Sequence, residues 1–186
     1  MIYILSLHIK ICLRILKVFR KLFHLIKYKN DLNKRISTSV VRSDFKVKSV
    51  RVVLDKNLPV DENYFRNLLG EITDSKILFT FIKFSHSTEN TLSEKHCYDK
   101  NHINFFGNFT EKLAKACKRK VDLQINFFDN NNLYLKWIAI KGEYKLSFGF
   151  KKIDIRINDV IFDFLPLQKD TFKNEFRKYI RVLKTI

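Results

Sequence analysis

An excess of positive charge constrains this chain more than any other feature of its sequence. The 186 residues include 36 Lys and Arg against 19 Asp and Glu, which gives a formal net charge of +17 at pH 7. A folded monomer with that excess repels itself, and a polyanionic partner is the usual compensation. Nucleic acid and an anionic membrane surface both meet this requirement. The chain is also 46% hydrophobic, so it can bury a core as one domain.

The amino-terminal segment, residues 1–29, contains seven Lys or Arg and no acidic residue. Its apolar residues recur at three- and four-residue steps, which predicts an amphipathic helix with basic side chains on another face. We expect this helix to occupy residues 1–30 and to pack on the domain with its basic face toward RNA. A membrane-surface helix and a transit peptide have similar compositions, so both alternatives stay open.

The remaining residues, 31–186, mix strand-like and helix-like patterns in what we expect to be a single RNA-binding domain. Runs of β-branched and aromatic residues predict strands at 46–54, 76–84, 121–128, 133–140, 144–150 and 153–165. Helices are predicted after Asp61, around residues 105–116 and after Asp170. Because the late strands follow one another directly, we predict an α+β fold with a twisted antiparallel sheet and helices packed on one face. The polar segment 85–103 is predicted to be a long loop.

One group of residues could form a metal-dependent nuclease site. Such enzymes place an acidic residue on one strand and Glu-x-Lys on the next, and here Glu143 and Lys145 follow either Asp122 or Asp129. The Glu-x-Lys triplet comes directly after Gly142, however, which favours a solvated hairpin over a buried strand end.

A second group could bind zinc. His86, His96, Cys97 and His102 cluster in the predicted loop, but their spacing matches no paired-ligand pattern, which favours ordinary polar loop residues. The sequence also contains no glycine-rich phosphate loop and no nucleophile elbow. We therefore predict a protein that is not an enzyme, with no catalytic residues, no metal, no cofactor and no small-molecule substrate.

The amino-terminal half interleaves basic residues with Tyr, Asn, Ser and Thr, which is typical of an RNA-binding surface. Cations hold phosphates, while hydroxyl and amide groups contact sugars or base edges. The predicted RNA-contacting residues are Lys27, Lys29, Asn30, Lys46, Lys48, Arg51, Thr73, Ser75, Lys76, Thr80, Lys83 and Ser85.

Four segments also carry a resemblance to a known family. Residues 72–85 (ITDSKILFTFIKFS) align without a gap with a family segment written Ile-(Ser/Thr)-Gly-Gln-Lys-Pro-x-x-Thr-x-x-(Lys/Arg)-x-Ser. Residues 23–30 (FHLIKYKN) are similar to its Phe-x-Tyr-x-Asn helix ending, residues 47–54 to its first strand, and residues 128–134 (FDNNNLY) to its Phe-Asp-Gly-x-Gly-Asn-Tyr turn. The family that these segments resemble is the fifth universal protein of the large ribosomal subunit, which binds 5S rRNA.

The resemblance implies a structural constituent of the large ribosomal subunit. Its partners would be 5S or large-subunit rRNA at the central protuberance, neighbouring ribosomal proteins, and through the loop after the second strand the small subunit and the peptidyl-site tRNA. The family's loop carries glycine and arginine, and residues 85–101 contain neither. Heavy use of Phe, Ile, Lys and Asn is typical of organelle-encoded proteins from AT-rich genomes. We therefore expect the protein in the mitochondrial ribosome, in the matrix.

Overall fold

The computed structural model describes residues 2–37, 46–72, 76–87 and 94–184. In chain order the helices and strands are α1 (Ile2–Ser37), β1 (Ser49–Asp55), α2 (Glu62–Gly70), β2 (Leu78–Phe84), β3 (Cys97–Tyr98), α3 (Glu111–Lys118), β4 (Val121–Phe127), α4 (Leu133–Lys141), β5 (Tyr144–Phe150), β6 (Val160–Phe162) and α5 (Lys169–Lys184).

Within the described ranges, six strands form one sheet in the order β3-β2-β1-β4-β5-β6, and every neighbouring pair is parallel. The chain moves outward from β1 through β2 to β3, returns to β4 on the other side of β1, and continues to β6. The strand order therefore reverses between β1 and β4, which is the topology of a doubly wound sheet. All strands begin at one edge, the amino edge, and end at the other, the carboxyl edge.

The prediction of an α+β domain with a helix at its amino terminus is confirmed, but the antiparallel arrangement is wrong. Residues 133–140, predicted as a strand, lie in helix α4 (Leu133–Lys141) between β4 and β5. A helical crossover returns the chain to the start of the sheet, so the next strand runs in the same direction as the last. Helices also cover both faces of the sheet, where the prediction placed them on one.

The sequence of α4 explains why its pattern predicted a strand. LYLKWIAIK is apolar in almost every direction, so it shows no helical period, and a short apolar run fits a buried strand equally well. Asn132 starts the helix by accepting hydrogen bonds at Oδ1 from the backbone N–H groups of Tyr134 (2.8 Å) and Leu135 (3.2 Å). In the fold α4 contacts both the sheet and α1, and Trp137 and Ile138 are fully buried.

One face of the sheet is largely aromatic and packs against α2 and α5. The ring of Phe127 in β4 lies 5.1 Å from that of Phe65 in α2 and 5.2 Å from that of Phe172 in α5. Phe148 of β5 packs on Phe176 of α5 at 5.2 Å. Each of these buried rings contributes about 1.5–3 kcal/mol of burial free energy, so this layer is the main hydrophobic core.

The opposite face, under α4, carries buried polar side chains. Arg51 Nη1 donates to Gln124 Oε1 (2.9 Å), and Gln124 Nε2 donates to Asn126 Oδ1 (3.0 Å) and to the Ala139 carbonyl (2.8 Å). Asn126 Nδ2 in turn donates to Asn158 Oδ1 (2.7 Å). This chain of hydrogen bonds provides partners for groups that burial would otherwise leave unpaired, and it ties the sheet to α4.

Helix α1 extends beyond the predicted residues 1–30, and only its later half packs on the domain. His24 and Leu32 are buried against the domain, and Trp137 Nε1 donates to Asp31 Oδ2 at 2.7 Å. The side chains of residues 9–19, by contrast, are all exposed. Among the described residues, no helix combines the length and apolarity needed to cross a membrane.

Three other predicted segments differ from the structure. The helix predicted around residues 105–116 begins only at Glu111, as α3. The predicted loop 85–103 contains β3 and a 3-10 turn at Lys100–His102, while residues 88–93 lie outside the described ranges. The predicted strand 153–165 contains only the short β6, preceded by a 3-10 turn at Ile155–Ile157.

Candidate nucleic-acid interface

Basic side chains gather at the amino edge of the sheet. Lys46 and Lys48 precede β1, Lys76 precedes β2, and residues 118–120 (KRK) end α3 and precede β4. Because β2 and β4 flank β1 in parallel, about 4.8 Å away on each side, the three segments meet at this edge. All six basic side chains are exposed. The amino-edge cluster is Lys46, Lys48, Lys76, Lys118, Arg119 and Lys120.

A hydrogen-bond network around Asp122 fixes the backbone at this edge. Asp122 Oδ2 accepts from the N–H groups of Lys48 and Ser49, both at 3.0 Å, and from Ser49 Oγ at 2.8 Å. Its Oδ1 pairs with Lys145 Nζ at 2.7 Å. Burial acts to raise the pKa of Asp122, but hydrogen bonds from Lys145 and Ser49 outweigh it and bring the pKa below its usual value. The ionised carboxylate therefore joins β1, β4 and β5 where the cluster begins.

The same contacts bear on the predicted nuclease site. Protein donors occupy both oxygens of Asp122, and Lys145 pairs with that carboxylate instead of facing a phosphate. Glu143 lies exposed ahead of β5, whereas Asp129 follows β4 at the other edge, about 20 Å away along a seven-residue strand. The predicted residues therefore do not form an open pair of metal-binding carboxylates.

A cleft of about 410 Å³ adjoins the amino-edge cluster. Lys27 Nζ, at the α1 side, donates to Asn108 Oδ1 at 2.5 Å, and Lys141 Nζ pairs with Asp31 at 2.8 Å. Lys118 belongs both to the cleft and to the amino-edge cluster, so the basic surface continues from the sheet toward α1. Other lining residues include Gly107, Phe109, Cys117 and Glu143.

Some of the predicted RNA-contacting residues are accessible. Lys46, Lys48 and Lys76 are exposed in the amino-edge cluster. Three more lie on α1: Lys29 and Asn30 are exposed, and Lys27 is half-buried in the cleft.

The other predicted residues are placed differently. Arg51 and Ser85 are buried, so neither side chain can reach a macromolecule outside the fold. Lys83 is half-buried and pairs with Glu62 (3.2 Å) and Glu94 (3.5 Å). Thr80 is half-buried within β2, and Thr73 and Ser75 lie outside the described residues.

The burial of Arg51 has a clear structural cause. The sequence KVKSVRVVL suggests a strand with one basic, solvated face, but β1 lies in the middle of the sheet and helices cover both of its faces. Arg51 therefore points into the polar layer under α4, where burial lowers the pKa of its guanidinium. It also donates from Nη2 to the Arg119 carbonyl.

Half of the amino-edge cluster was not predicted from the sequence. Lys118, Arg119 and Lys120 form three consecutive basic residues directly before a strand, and that triplet was an available signal. Its relation to Lys48 becomes visible only when the strands are known to be parallel, because an antiparallel pairing of β1 and β4 would put the two segments at opposite edges.

The carboxyl edge carries a different polar cluster, next to the point where the strand order reverses. Asp55, at the end of β1, accepts at Oδ2 from His86 Nε2 (3.0 Å) and from Asn130 Nδ2, and at Oδ1 from Asn57 N–H (3.0 Å). Asn132 Nδ2 lies 2.8 Å from His86 Nδ1. Doubly wound proteins usually bind ligands at this position. Here the side chains of Asp55 and His86 are engaged with neighbouring protein groups.

Two further features of the carboxyl edge disfavour phosphate binding. The turn from β1 to α2, residues 56–61 (KNLPVD), has no glycine that would let a phosphate approach the backbone. The start of α2 is acidic, because Asp61 Oδ1 accepts from Tyr64 N–H (3.0 Å) and Glu62 follows. Negative charge at a helix amino terminus neutralises the dipole that would attract an anion.

Two of the four residues considered for zinc binding, His86 and His102, have separate carboxylate partners. His86 contacts Asp55, His102 Nδ1 lies 3.0 Å from Asp99 Oδ1, and Cys97 is buried in β3. Across the described ranges, no three or more His, Cys, Asp or Glu side chains are grouped to hold a metal ion.

Fold and surface together define a doubly wound protein with a parallel sheet, a basic amino edge, and a carboxyl edge where Asp55 and His86 bind neighbouring protein groups. The chain belongs to a family of unknown function (DUF6913), whose model matches residues 20–183. No curated protein and no solved structure matches the chain. None of these comparisons indicates the ribosomal family that the four segments resemble.

Proposed function

We propose that this protein binds RNA through the amino-edge cluster and acts as a non-catalytic component of a ribonucleoprotein. The observation that carries the proposal is the convergence of the basic segments before β1, β2 and β4 on one edge of a parallel sheet. Six exposed cations there have two nearby acids: Asp122, which already pairs with Lys145, and Glu143, which is exposed ahead of β5. The net charge of +17 gives the whole molecule an attraction to polyanions.

The chemistry of the cluster suits a phosphate backbone. Each lysine or arginine that neutralises a phosphate releases condensed counterions, so affinity depends steeply on salt. Arg119 and the lysines supply only donors, which matches the acceptor oxygens of phosphate. The basic residues of the adjoining cleft extend this surface toward α1.

The direct test is RNA binding by the full chain, measured by fluorescence anisotropy across a range of salt concentrations. The variant Lys48→Glu/Lys76→Glu/Lys120→Glu removes three cations from the amino edge. We expect it to weaken binding at least tenfold, and to flatten the slope of log affinity against log salt by about two for single-stranded RNA.

A matched control is Lys100→Glu/Lys151→Glu/Lys152→Glu. It makes the same change in net charge with exposed lysines that follow β3 and β5, beyond the carboxyl ends of the strands. If the two variants lose affinity equally, net charge alone drives binding and the amino-edge site is wrong. Duplex DNA of equal length shows whether recognition is particular to RNA.

The resemblance to a ribosomal family suggests which assembly to examine first. We extend the proposal to large-subunit rRNA in the mitochondrial ribosome, on the support of the four similar segments and the charge. The fold does not support the ribosomal assignment, because its sheet is parallel and the resemblance was read with an antiparallel one. Gradient sedimentation tests it: the protein should travel with large subunits and leave them in high salt. A protein that stays at the top of the gradient while still binding RNA keeps the RNA proposal and rejects the ribosomal one.

A further inference from the structure

The exposed part of α1 presents an unusually apolar surface. Between residues 9 and 26, eleven large apolar side chains are exposed, from Leu25 at 38% to Val18 at 67%. Single exposed apolar residues are common, but contiguous apolar patches on a soluble surface mark interaction sites. The remaining members of this set are Ile9, Ile11, Leu13, Ile15, Leu16, Phe19, Leu22, Phe23 and Ile26.

Helical geometry shows which way this surface points. His24, Tyr28 and Leu32 are buried one turn apart, so their common direction is that of the domain. At about 100° per residue, six members of the apolar set project within about 60° of the direction opposite to the domain. They are Ile15, Leu16, Phe19, Leu22, Phe23 and Ile26. A flat partner can therefore cover the apolar face without colliding with the sheet or its other helices.

The domain continues this apolar surface at one point. Phe23 packs on Phe105 with ring centroids 6.0 Å apart and on Phe106 at 6.5 Å. Phe106 is itself 64% exposed, so the apolar surface extends from the helix onto the loop before α3.

The charges of α1 lie on its other side. Lys10, Arg14, Lys17 and Lys21 project within about 40° of the direction of the domain, and they are exposed because this part of the helix extends past the packed region. The side of the helix opposite the domain is therefore apolar, while the other side carries these cations together with Leu13, Val18 and Leu25. Neither side has an acidic residue before Asp31.

We propose that residues 9–26 of α1 bind the surface of an anionic lipid membrane, with the helix lying in the plane of the interface. In-plane helices bury Phe, Leu and Ile at the boundary between headgroups and acyl chains, and their Lys and Arg side chains contact anionic headgroups. Charge complementarity selects this partner: an acid-free basic face matches a negative leaflet. The domain, attached on the basic side, remains in water.

This inference is independent of the proposed RNA binding. The residues concerned are separate from the amino-edge cluster, so either property can be lost while the other is kept.

The experiment is flotation of the full chain with two kinds of vesicle. One is phosphatidylcholine alone, and the other contains about one third phosphatidylserine. We expect binding to the anionic vesicles and much weaker binding to the neutral ones. The variant Phe19→Glu/Leu22→Glu should reduce the bound fraction at least tenfold, because it places two charges where acyl chains would lie.

The matched control is Leu167→Glu/Val182→Glu, which changes two other apolar residues that are 52% and 56% exposed. It should float like the unchanged protein, and circular dichroism checks that both variants are folded. Equal losses in the two variants, or equal binding to both kinds of vesicle, would overturn the proposal. If no vesicles bind and Phe19→Glu/Leu22→Glu instead converts an oligomer to a monomer, the surface contacts a second copy and the membrane assignment is wrong.

Discussion

The side-chain amide of Asn132 contacts two structural elements at once. Its Oδ1 accepts from the N–H groups of Tyr134 and Leu135 at the start of α4, while its Nδ2 lies 2.8 Å from Nδ1 of His86. Since the cap fixes Oδ1, the NH₂ group faces His86, and Nδ1 must be the acceptor. The proton of the neutral ring is then on Nε2, which donates to Asp55 at 3.0 Å. One asparagine thus starts a buried helix and sets a histidine tautomer at the carboxyl edge.

Substitutions of Asn132 can separate these two roles. Asn132→Ala removes both cap hydrogen bonds and the contact to His86. We therefore expect the free energy of unfolding, measured in urea, to fall by about 1–2 kcal/mol. Asn132→Asp keeps a cap acceptor and should retain most of that stability. If alanine and aspartate variants are equally destabilised, the cap is not the main contribution of this residue.

Glycine at position 149 is required by the polar layer above it. A Cβ atom there would overlap the side-chain amide of Asn158, which is held by Asn126 at 2.7 Å. We expect Gly149→Ala to lower the free energy of unfolding by about 1–3 kcal/mol through overpacking. The control is Gly70→Ala in α2, where an added Cβ meets nothing within 4 Å. It should be neutral or stabilise by up to about 1 kcal/mol, since alanine favours helices more than glycine does.

Substitution of Arg51 should mainly reduce stability, whereas substitution of Lys48, three residues earlier, should mainly weaken RNA binding. Arg51→Ala leaves a cavity and removes the hydrogen-bond donor to Gln124 Oε1 inside the fold, so we expect a loss of about 3 kcal/mol in the free energy of unfolding. Lys48→Ala should change that free energy by less than about 0.5 kcal/mol, yet weaken RNA binding and reduce its salt dependence. The comparison is made by measuring urea denaturation and RNA-binding anisotropy on both variants. An Arg51→Ala protein of unchanged stability would contradict the buried position of the guanidinium.

Stability should also depend on the protonation of His24. Its Nε2 donates to the Asn104 carbonyl (2.8 Å), Tyr134 Oη lies 3.3 Å from Nδ1, and burial lowers the pKa of the ring below 6.5. Because the unfolded chain takes up the proton first, stability is intact above about pH 6.5 and falls as the pH drops below it. Urea unfolding between about pH 7.5 and pH 5.5 measures the slope.

The variant His24→Gln provides the control for this pH dependence, because glutamine can keep one donor and one acceptor but does not titrate. We expect a shallower slope between the same two pH values. Part of the slope should remain, since burial also lowers the pKa of His96. An unchanged slope in His24→Gln would show that His24 does not control acid stability.

Local patterns in the sequence predicted the elements whose two faces differ in environment or whose ends carry clear signals. Asp61 and the apolar spacing after it predicted α2, and the periodicity after Asp170 predicted α5. Strands β1, β2, β4 and β5 follow from runs of β-branched and aromatic residues. Helix α4 was missed because a segment buried on every side carries no periodic signal, and with it the direction of β5 was missed too.

The candidate nucleic-acid interface also contains some residues that the sequence identified and others that it did not. Lys46, Lys48 and Lys76 were identified from composition and position near predicted strands. The contribution of residues 118–120, the burial of Arg51 and the hydrogen bonds of Asp55 to His86 and Asn130 were not. Each of these depends on which strands are neighbours and in which direction they run, and no local pattern carries that information.

The sequence by itself therefore determined that this protein is a basic, mixed helix-and-strand domain with an amino-terminal segment that has no acidic residue before Asp31. Net charge and apolar periodicity are properties of residue order, and they hold in any fold the chain adopts. The tertiary structure alone decided where the charge acts. Parallel pairing brings three separate basic segments to one edge, and covering β1 on both faces removes Arg51 from solvent. Packing of α1 against α4 near His24 directs the apolar face of the helix away from the domain.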